Sequence, residues 1–230
     1  MNNQTNAAAT PLQPIVLPPF APYYADESVT IYNADCRQVL PFLPRFDLLL
    51  TDPPYGIGYG GKKNSVGGTE GRTKNRWKTW KTDWDDEAPP SWLIDMIKDA
   101  AKDAIVWGGN YYSLPPSMGW LVWDKGQRDF SLADAELAWT NRNKAVRCFT
   151  FTRPEALAEG GRIHPTQKPL ALMRWCLSQV PECETVLDPF AGVGTSGVAC
   201  KLEGRKATLI EISEEYCEKA ADRLRQGVLF

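Results

Sequence analysis

The chain has 230 residues, 43% hydrophobic and 23% charged, with a formal net charge of −2 at pH 7. That length can bury the core of one large domain, and the composition is that of an ordinary globular protein. The near-neutral balance excludes a nucleic-acid partner held by overall basicity, so any such partner must meet a local patch.

Residues 1–27 carry no basic stretch, and prolines break their apolar runs. They read as an arm rather than a signal peptide, with Pro18, Pro19 and the Tyr23–Tyr24 pair available for docking. The domain is expected over 28–230. SVTIYNAD (28–35) is a β-branched strand ending in an acid, and CRQVLPFL is a short helix cut by Pro41. FDLLL (46–50) is a compact apolar strand suited to burial on both faces. SWLIDMIKDAAKDA (91–104) predicts a helix with Leu93, Met96, Ile97, Ala100, Ala101 and Ala104 on one face and Ser91 as N-cap.

AIVWGG and GWLVWD follow as strands, then AELAWT and AVRCFTF as two more, set as a hairpin. KPLALMRWCLSQV is a helix with Pro169 in its first turn, and TVLDPF is a strand. A helix from about Thr195 to Gly204, the strand KATLIEI and a helix from Ser213 to near Gly227 complete the chain. The alternation predicts an α/β domain around a mainly parallel sheet. Two segments lie outside it: an inserted loop at 57–90 and a shorter break, TRPEALAEGGRI, at 152–163.

Six cysteines, at 36, 148, 176, 183, 200 and 217, form no C-x-x-C pair, so reduced thiols and a cytoplasmic location are expected. With His164 the sole histidine, a zinc site built on several imidazoles is excluded, and no metal is expected. No apolar run approaches the roughly 20 residues of a membrane span.

Chemistry concentrates in two places. VLDPFAGVGTSGVA (186–199) is a strand, an acid and a Gly192-x-Gly194-x-x-Gly197 turn opening a helix. Such turns receive nucleotide-like ligands at the carboxyl edge of an open sheet. Glu211, at the end of the next strand, is placed to accept from ribose hydroxyls. The pattern alone fits NAD as well as S-adenosylmethionine, and leaves open a purely structural turn.

The second place is Asp52-Pro53-Pro54-Tyr55, directly after FDLLL. Two prolines fix the backbone and bring no N–H donor, so the Asp52 carboxylate and the Pro53 carbonyl form a rigid acceptor surface beside an aromatic ring. That surface suits an exocyclic amino group on a flat heterocycle. A rigid turn with a capping Asp is the plainer alternative.

TDPPYG (51–56), HPTQKP (164–169) and DPFAGVGTSG (188–197), in that order, resemble the β class of DNA amino-methyltransferases. The resemblance runs from about residue 29 to 226. It implies a Rossmann-like methyltransferase fold, with a mainly parallel seven-stranded sheet, helices on both faces and a circularly permuted motif order. It implies S-adenosylmethionine as cofactor, with Asp188, Phe190, Ala191, Gly192 and Gly194 around the methionine part. Glu211 would take the ribose hydroxyls, Ile212 pack on the adenine, and Asp35 face the adenine amino group. Thr166 and Lys168 would approach the cofactor carboxylate, while His164 is either a ligand contact or a structural hydrogen bond.

In this family Asp at the first motif position favours adenine N6 and Ser favours cytosine N4, so Asp52 points to adenine, with cytosine N4 as alternative. Asp52 and Pro53 would orient the amino group of a base flipped out of double-stranded DNA, with Tyr55 stacking on it. The loop 61–82 holds seven Lys or Arg against one Glu, and its Lys62, Lys63, Arg72, Lys74, Arg76, Lys78 and Lys81, with Trp77 and Trp80, fit DNA contact. A solvated connector is the bland alternative. The segment 152–163 is short for target recognition, which favours a homodimer. An RNA or protein-amide methyltransferase, a DNA-binding protein without activity and a nicotinamide-dependent oxidoreductase are the rival classes; the last leaves DPPY unexplained.

Overall fold

The structure, a computed structural model, describes residues 19, 21–57, 87–128, 133–159 and 167–226. Its strands are β1 (Tyr24–Ala25), β2 (Val29–Asn33), β3 (Phe46–Thr51), β4 (Ala101–Trp107), β5 (Trp120–Asp124), β6 (Ala135–Thr140), β7 (Arg147–Thr150), β8 (Thr185–Asp188) and β9 (Lys206–Glu211). Its helices are α1 (Cys36–Val39), α2 (Ser91–Asp99), α3 (Arg153–Ala158), α4 (Leu170–Ser178), α5 (Thr195–Leu202) and α6 (Glu214–Arg225).

The strands form one sheet in the order β1-β2-β9-β8-β3-β4-β6-β5-β7. From β2 to β4 all neighbours are parallel, whereas β6 runs antiparallel to both β4 and β5. Seven strands were expected. The sheet gains a two-residue edge at β1 and another edge at β7, so nine strands are present among the described residues.

Burial explains the central strand. Leu48, Leu49 and Leu50 are all at 0% exposure. Leu48 and Leu50 face the cluster that holds α4, α5 and α6, while Leu49 faces the cluster holding α1 and α2. Side chains alternate across a strand, so an unbroken apolar run fits only a sheet covered on both faces.

Four expectations about local structure change. The helix predicted over 91–104 ends at Asp99, because Ala101 and Ala104 belong to β4 and pair with Phe46 and Leu49 of β3. The helix-like spacing of alanines there is outweighed by backbone bonds along a buried strand. Its N-cap is Pro90, with Ser91 inside the helix. AELAWT and AVRCFTF are not a hairpin, since β5 lies between them, antiparallel to β6 and parallel to β7. The break at 152–163 contains α3, opened by a capping box in which Thr152 and Glu155 satisfy each other's backbone N–H groups.

A polar clamp holds β3 beside β8. Asp47 Oδ2 accepts from Glu184 N at 3.0 Å, Thr185 N at 2.9 Å and Thr185 Oγ1 at 2.8 Å. The Thr185 hydroxyl and these amides hold the Asp47 carboxyl below its ordinary value of 3.8. A depressed carboxyl contributes stability that is present above its unfolded pKa and lost as pH falls through the folded one. Asp47→Ala should therefore lower unfolding stability by about 1–2 kcal/mol at neutral pH. The deficit should shrink in urea titrations run progressively below about pH 4. A deficit independent of pH would assign the clamp no electrostatic part.

Candidate active site

The parallel strands β3 and β8 end at the same edge of the sheet, so the residues after them face one cleft. That cleft measures about 420 Å³ and is lined by Asp35, Asp52, Pro54, Lys168, Asp188, Phe190, Gly192, Glu211 and Ile212, among others. Thus most of the predicted cofactor residues share one cavity with Asp52 and Pro54 of the DPPY turn, while Pro53, Tyr55 and Gly194 are not among its lining residues. Thr166 and His164, and the loop residues Lys62, Lys63, Arg72, Lys74, Arg76, Trp77, Lys78, Trp80 and Lys81, lie outside the described residues.

Asp188 closes β8 and is 3% exposed. It accepts from Thr51 Oγ1 at 2.8 Å, Ser196 Oγ at 2.5 Å and Phe190 N at 3.2 Å. Burial pushes its carboxyl up to about 6, against the pull of the Ser196 and Thr51 hydroxyls. The chain then turns through Gly192 (φ 52°) and Gly194 (φ 72°), both in the left-handed region. A Cβ on Gly194 would meet Ala220 Cβ at 2.8 Å, so this glycine is required by packing of the turn on α6. A Cβ on Gly192 would meet nothing within 4 Å, although the residue lines the cleft. Its open side faces ligand space.

Glu211, at the end of β9, is held by two backbone amides, Gly192 N on Oε2 and Ser213 N on Oε1, each at 2.8 Å. Burial raises its pKa, opposed by the Ser213 and Gly192 amides. Two fixed donors leave each carboxylate oxygen a further acceptor position. Ile212 beside it is 72% exposed, an apolar surface at the cleft mouth. Asp35 caps α1 through Arg37 N at 2.9 Å and pairs with the Arg37 guanidinium, which holds its carboxyl below the usual range.

The DPPY turn is already furnished with donors. Tyr55 OH donates to Asp52 Oδ1 at 2.6 Å, and Lys168 Nζ donates to Asp52 Oδ2 at 2.5 Å. Tyr112 OH reaches the Pro53 carbonyl at 2.8 Å and the Pro54 carbonyl at 3.0 Å. The acceptor surface is therefore partly occupied, with each oxygen keeping unused lone-pair capacity. Lys168 was expected toward the cofactor carboxylate; its partners in the structure are Asp52, Glu136 at 3.1 Å and the Tyr55 hydroxyl at 3.2 Å. The Tyr55 ring stacks on Tyr111 at 4.8 Å and meets Tyr112 edge-on at 6.5 Å. Gly108 lets the ring in, since a Cβ there would lie 2.1 Å from Tyr55 Cε1.

Sequence reasoning missed Tyr111, Tyr112, Glu136 and Lys125. The available signals were two adjacent tyrosines after a strand-ending glycine pair, and charged residues in the otherwise apolar strands GWLVWDK and AELAWT.

The family described as DNA methylase, the N6/N4 methyltransferases, matches residues 122–222. The chain is 27% identical over 247 residues to the Type II methyltransferase M2.DpnII of Streptococcus pneumoniae, covering 88% of this chain and 92% of that protein. It is 25% identical over 252 residues to the Type II methyltransferase M2.LlaDCHI of Lactococcus lactis subsp. cremoris, covering 91% and 94%. The chain is thus similar to DNA amino-methyltransferases, by family model over its C-terminal half and by these two relatives over most of its length.

Solved structures share the fold of this chain. M1.HpyAVI, solved in complex with SAM, superposes with a TM-score of 0.55 at 23% identity, over 85% of this chain and 99% of that one. The PvuII DNA methyltransferase, titled cytosine-N4-specific, superposes at 0.56 with 14% identity, over 91% and 90%. The cleft fits S-adenosylmethionine, the ligand of that M1.HpyAVI complex: buried carboxylate at Asp188, ribose-type acceptor at Glu211, open space over Gly192, apolar Ile212 at the mouth. Among the described residues no group of three or more metal-ligating side chains occurs, and no helix is long and apolar enough to cross a membrane.

Gly192→Ala tests the ligand side of the turn. The left-handed backbone costs an alanine about 1–2 kcal/mol, so the variant should still fold. S-adenosylmethionine affinity by calorimetry should fall about tenfold or more, equal to at least about 1.4 kcal/mol. Unchanged affinity would move the cofactor away from Gly192.

Proposed function

We propose that the chain methylates the exocyclic N6 of an adenine flipped out of double-stranded DNA. The observation that supports this best is the shared cleft: the Asp52 carboxylate and the Gly192 turn line one cavity, at neighbouring strand ends. A base inside a duplex cannot bring its amino group to such an edge, so it must leave the stack. S-adenosylmethionine supplies an electrophilic methyl group on a sulfonium.

In this reading Glu211 accepts from the ribose hydroxyls and Asp188 from the cationic amino group of the cofactor. Asp52, with the Pro53 carbonyl, accepts from the two N–H bonds of the adenine amino group. That turns the nitrogen lone pair toward the methyl. The N–C bond forms as the C–S bond breaks, the C–S electron pair stays with sulfur, and the alkylated nitrogen sheds a proton. The gain comes mainly from orientation, so no nucleophilic side chain is called for. Burial raises the Asp52 pKa, the Lys168 charge draws it back, and Glu136 opposes that pull. Tyr55, with the half-exposed Tyr111 stacked on it, supplies aromatic surface for the base.

Methylation of mixed-sequence duplex DNA followed by nucleoside mass analysis tests the assignment. N6-methyladenine is expected; N4-methylcytosine would overturn the choice of base. Asp52→Ala should abolish turnover while cofactor and duplex DNA still bind. Tyr55→Ala should recover part of its rate on a duplex mismatched at the target, where less unpairing energy is needed. Equal rescue of both variants would sink this division of roles.

The loop at 61–82 is proposed to contact DNA phosphates. Replacing Lys74, Arg76, Lys78 and Lys81 with Ala should weaken DNA binding and flatten its salt dependence by roughly 0.9 in slope per lost contact. Cofactor affinity should not change. An unaltered slope would make the loop a connector.

A further inference from the structure

We infer that Lys168, anchored by Glu136, is a positioning residue for methyl transfer that keeps Asp52 ionised and fixed in the plane its acceptor role needs. This rests on the reading of Asp52 as the group that orients the target amino group.

Four side chains from four separate segments, the two lysines buried and the two acids part-buried, alternate in sign. Lys125, at the end of β5, pairs with Glu136 Oε1 at 2.6 Å, and Glu136 Oε2 lies 3.1 Å from Lys168 Nζ. Lys168, just ahead of α4, pairs with Asp52 Oδ2 at 2.5 Å. The two lysine side chains are only 8% and 6% exposed. Burying such a row is costly, and apolar residues of similar volume would serve folding as well or better. Its presence beside the DPPY turn therefore points to a role in the chemistry.

The geometry specifies that role. Lys168 takes Oδ2 and Tyr55 OH takes Oδ1, so the carboxylate plane is pinned from both sides while each oxygen retains an acceptor position. The other charged groups around Asp52 are Glu136 on β6 and Asp188 at the end of β8, while Tyr112 beyond β4 acts on Tyr55. The first two are carboxylates. Without Lys168, a carboxyl so enclosed would take up a proton and lose half its acceptor surface. Burial works against the Lys168 charge, but Asp52 and Glu136 outweigh it and raise its pKa. Burial likewise opposes Glu136, yet Lys168 and Lys125 hold its carboxyl down at about 2. Glu136 thus tethers Lys168, and Lys125 neutralises the tether.

The test is the pH profile of kcat/KM for DNA, which reports ionisation in the enzyme before DNA binds. Lys168→Met should lose most activity at neutral pH, with its acidic limb displaced upward by about 1–3 pH units. Glu136→Gln removes a like charge from Asp52, so its acidic limb should move down. Lys168→Arg should return the limb toward that of the parent. S-adenosylmethionine affinity of Lys168→Met should fall by less than about tenfold. A larger loss would assign Lys168 to the cofactor carboxylate and overturn the inference, as would acidic limbs that coincide with the parent's. If Lys168→Met does not fold, the isosteric Glu136→Gln decides alone: a lowered limb supports the inference and an unmoved or raised one overturns it. Asp52→Asn separates the two levels. Normal turnover in that variant would sink the role of Asp52 itself, whereas an inactive Asp52→Asn with unmoved limbs in the others overturns only the role of Lys168.

Discussion

Parallel pairing of β3 against β8 puts two strand ends side by side, and the site is built on that neighbourhood. Leu48 and Leu49 are in register with Val186 and Leu187. Parallel strands expose their C-terminal ends at one edge, so Asp52 and Asp188 emerge together although they lie far apart in sequence. The clamp from Asp47 to Thr185 holds one end of the pair, and the Thr51 hydroxyl bonded to Asp188 holds the other. An antiparallel pairing would send the two acids to opposite edges.

The electrostatics of the cleft follow from where that edge lies. Asp52, Asp188 and Glu211 are all carboxyls that burial pushes upward, and each is compensated in a different way. Asp188 has hydroxyls and one amide, Glu211 has two backbone amides, and Asp52 has an ammonium and a phenol. Neutral donors orient a carboxylate without cancelling its charge, which suits residues that meet a cationic or hydroxyl-bearing ligand. An ammonium cancels charge as well, which suits a group that must accept from a neutral amine without drawing in a proton.

The aromatic cluster has its own logic. Gly108 and Gly109 end β4 with no side chains, and Tyr55 occupies the space that a Cβ on Gly108 would take. Tyr111 then covers Tyr55, and Tyr112 ties the Pro53 and Pro54 carbonyls. The strand after the DPPY turn thus supplies both the gap for the ring and the groups that hold it.

Much of this was legible in the chain alone. FDLLL announced a strand buried on both faces because side chains alternate and no polar residue interrupts its leucines. The glycine turn, Glu211 and DPPY were readable because backbone freedom, rigid prolines and a strand-ending acid are local properties. The helix spacing in 91–104 misled, because a strand buried in a sheet overrides the local pattern, and the capping box at Thr152 went unread. The partners of Asp52 could not be read at all. Lys168, Glu136 and Lys125 come from three other segments, and a charged residue in an apolar strand shows only that it needs a partner. Which partner it finds depends on strand order, and strand order is set by packing between residues far apart in sequence.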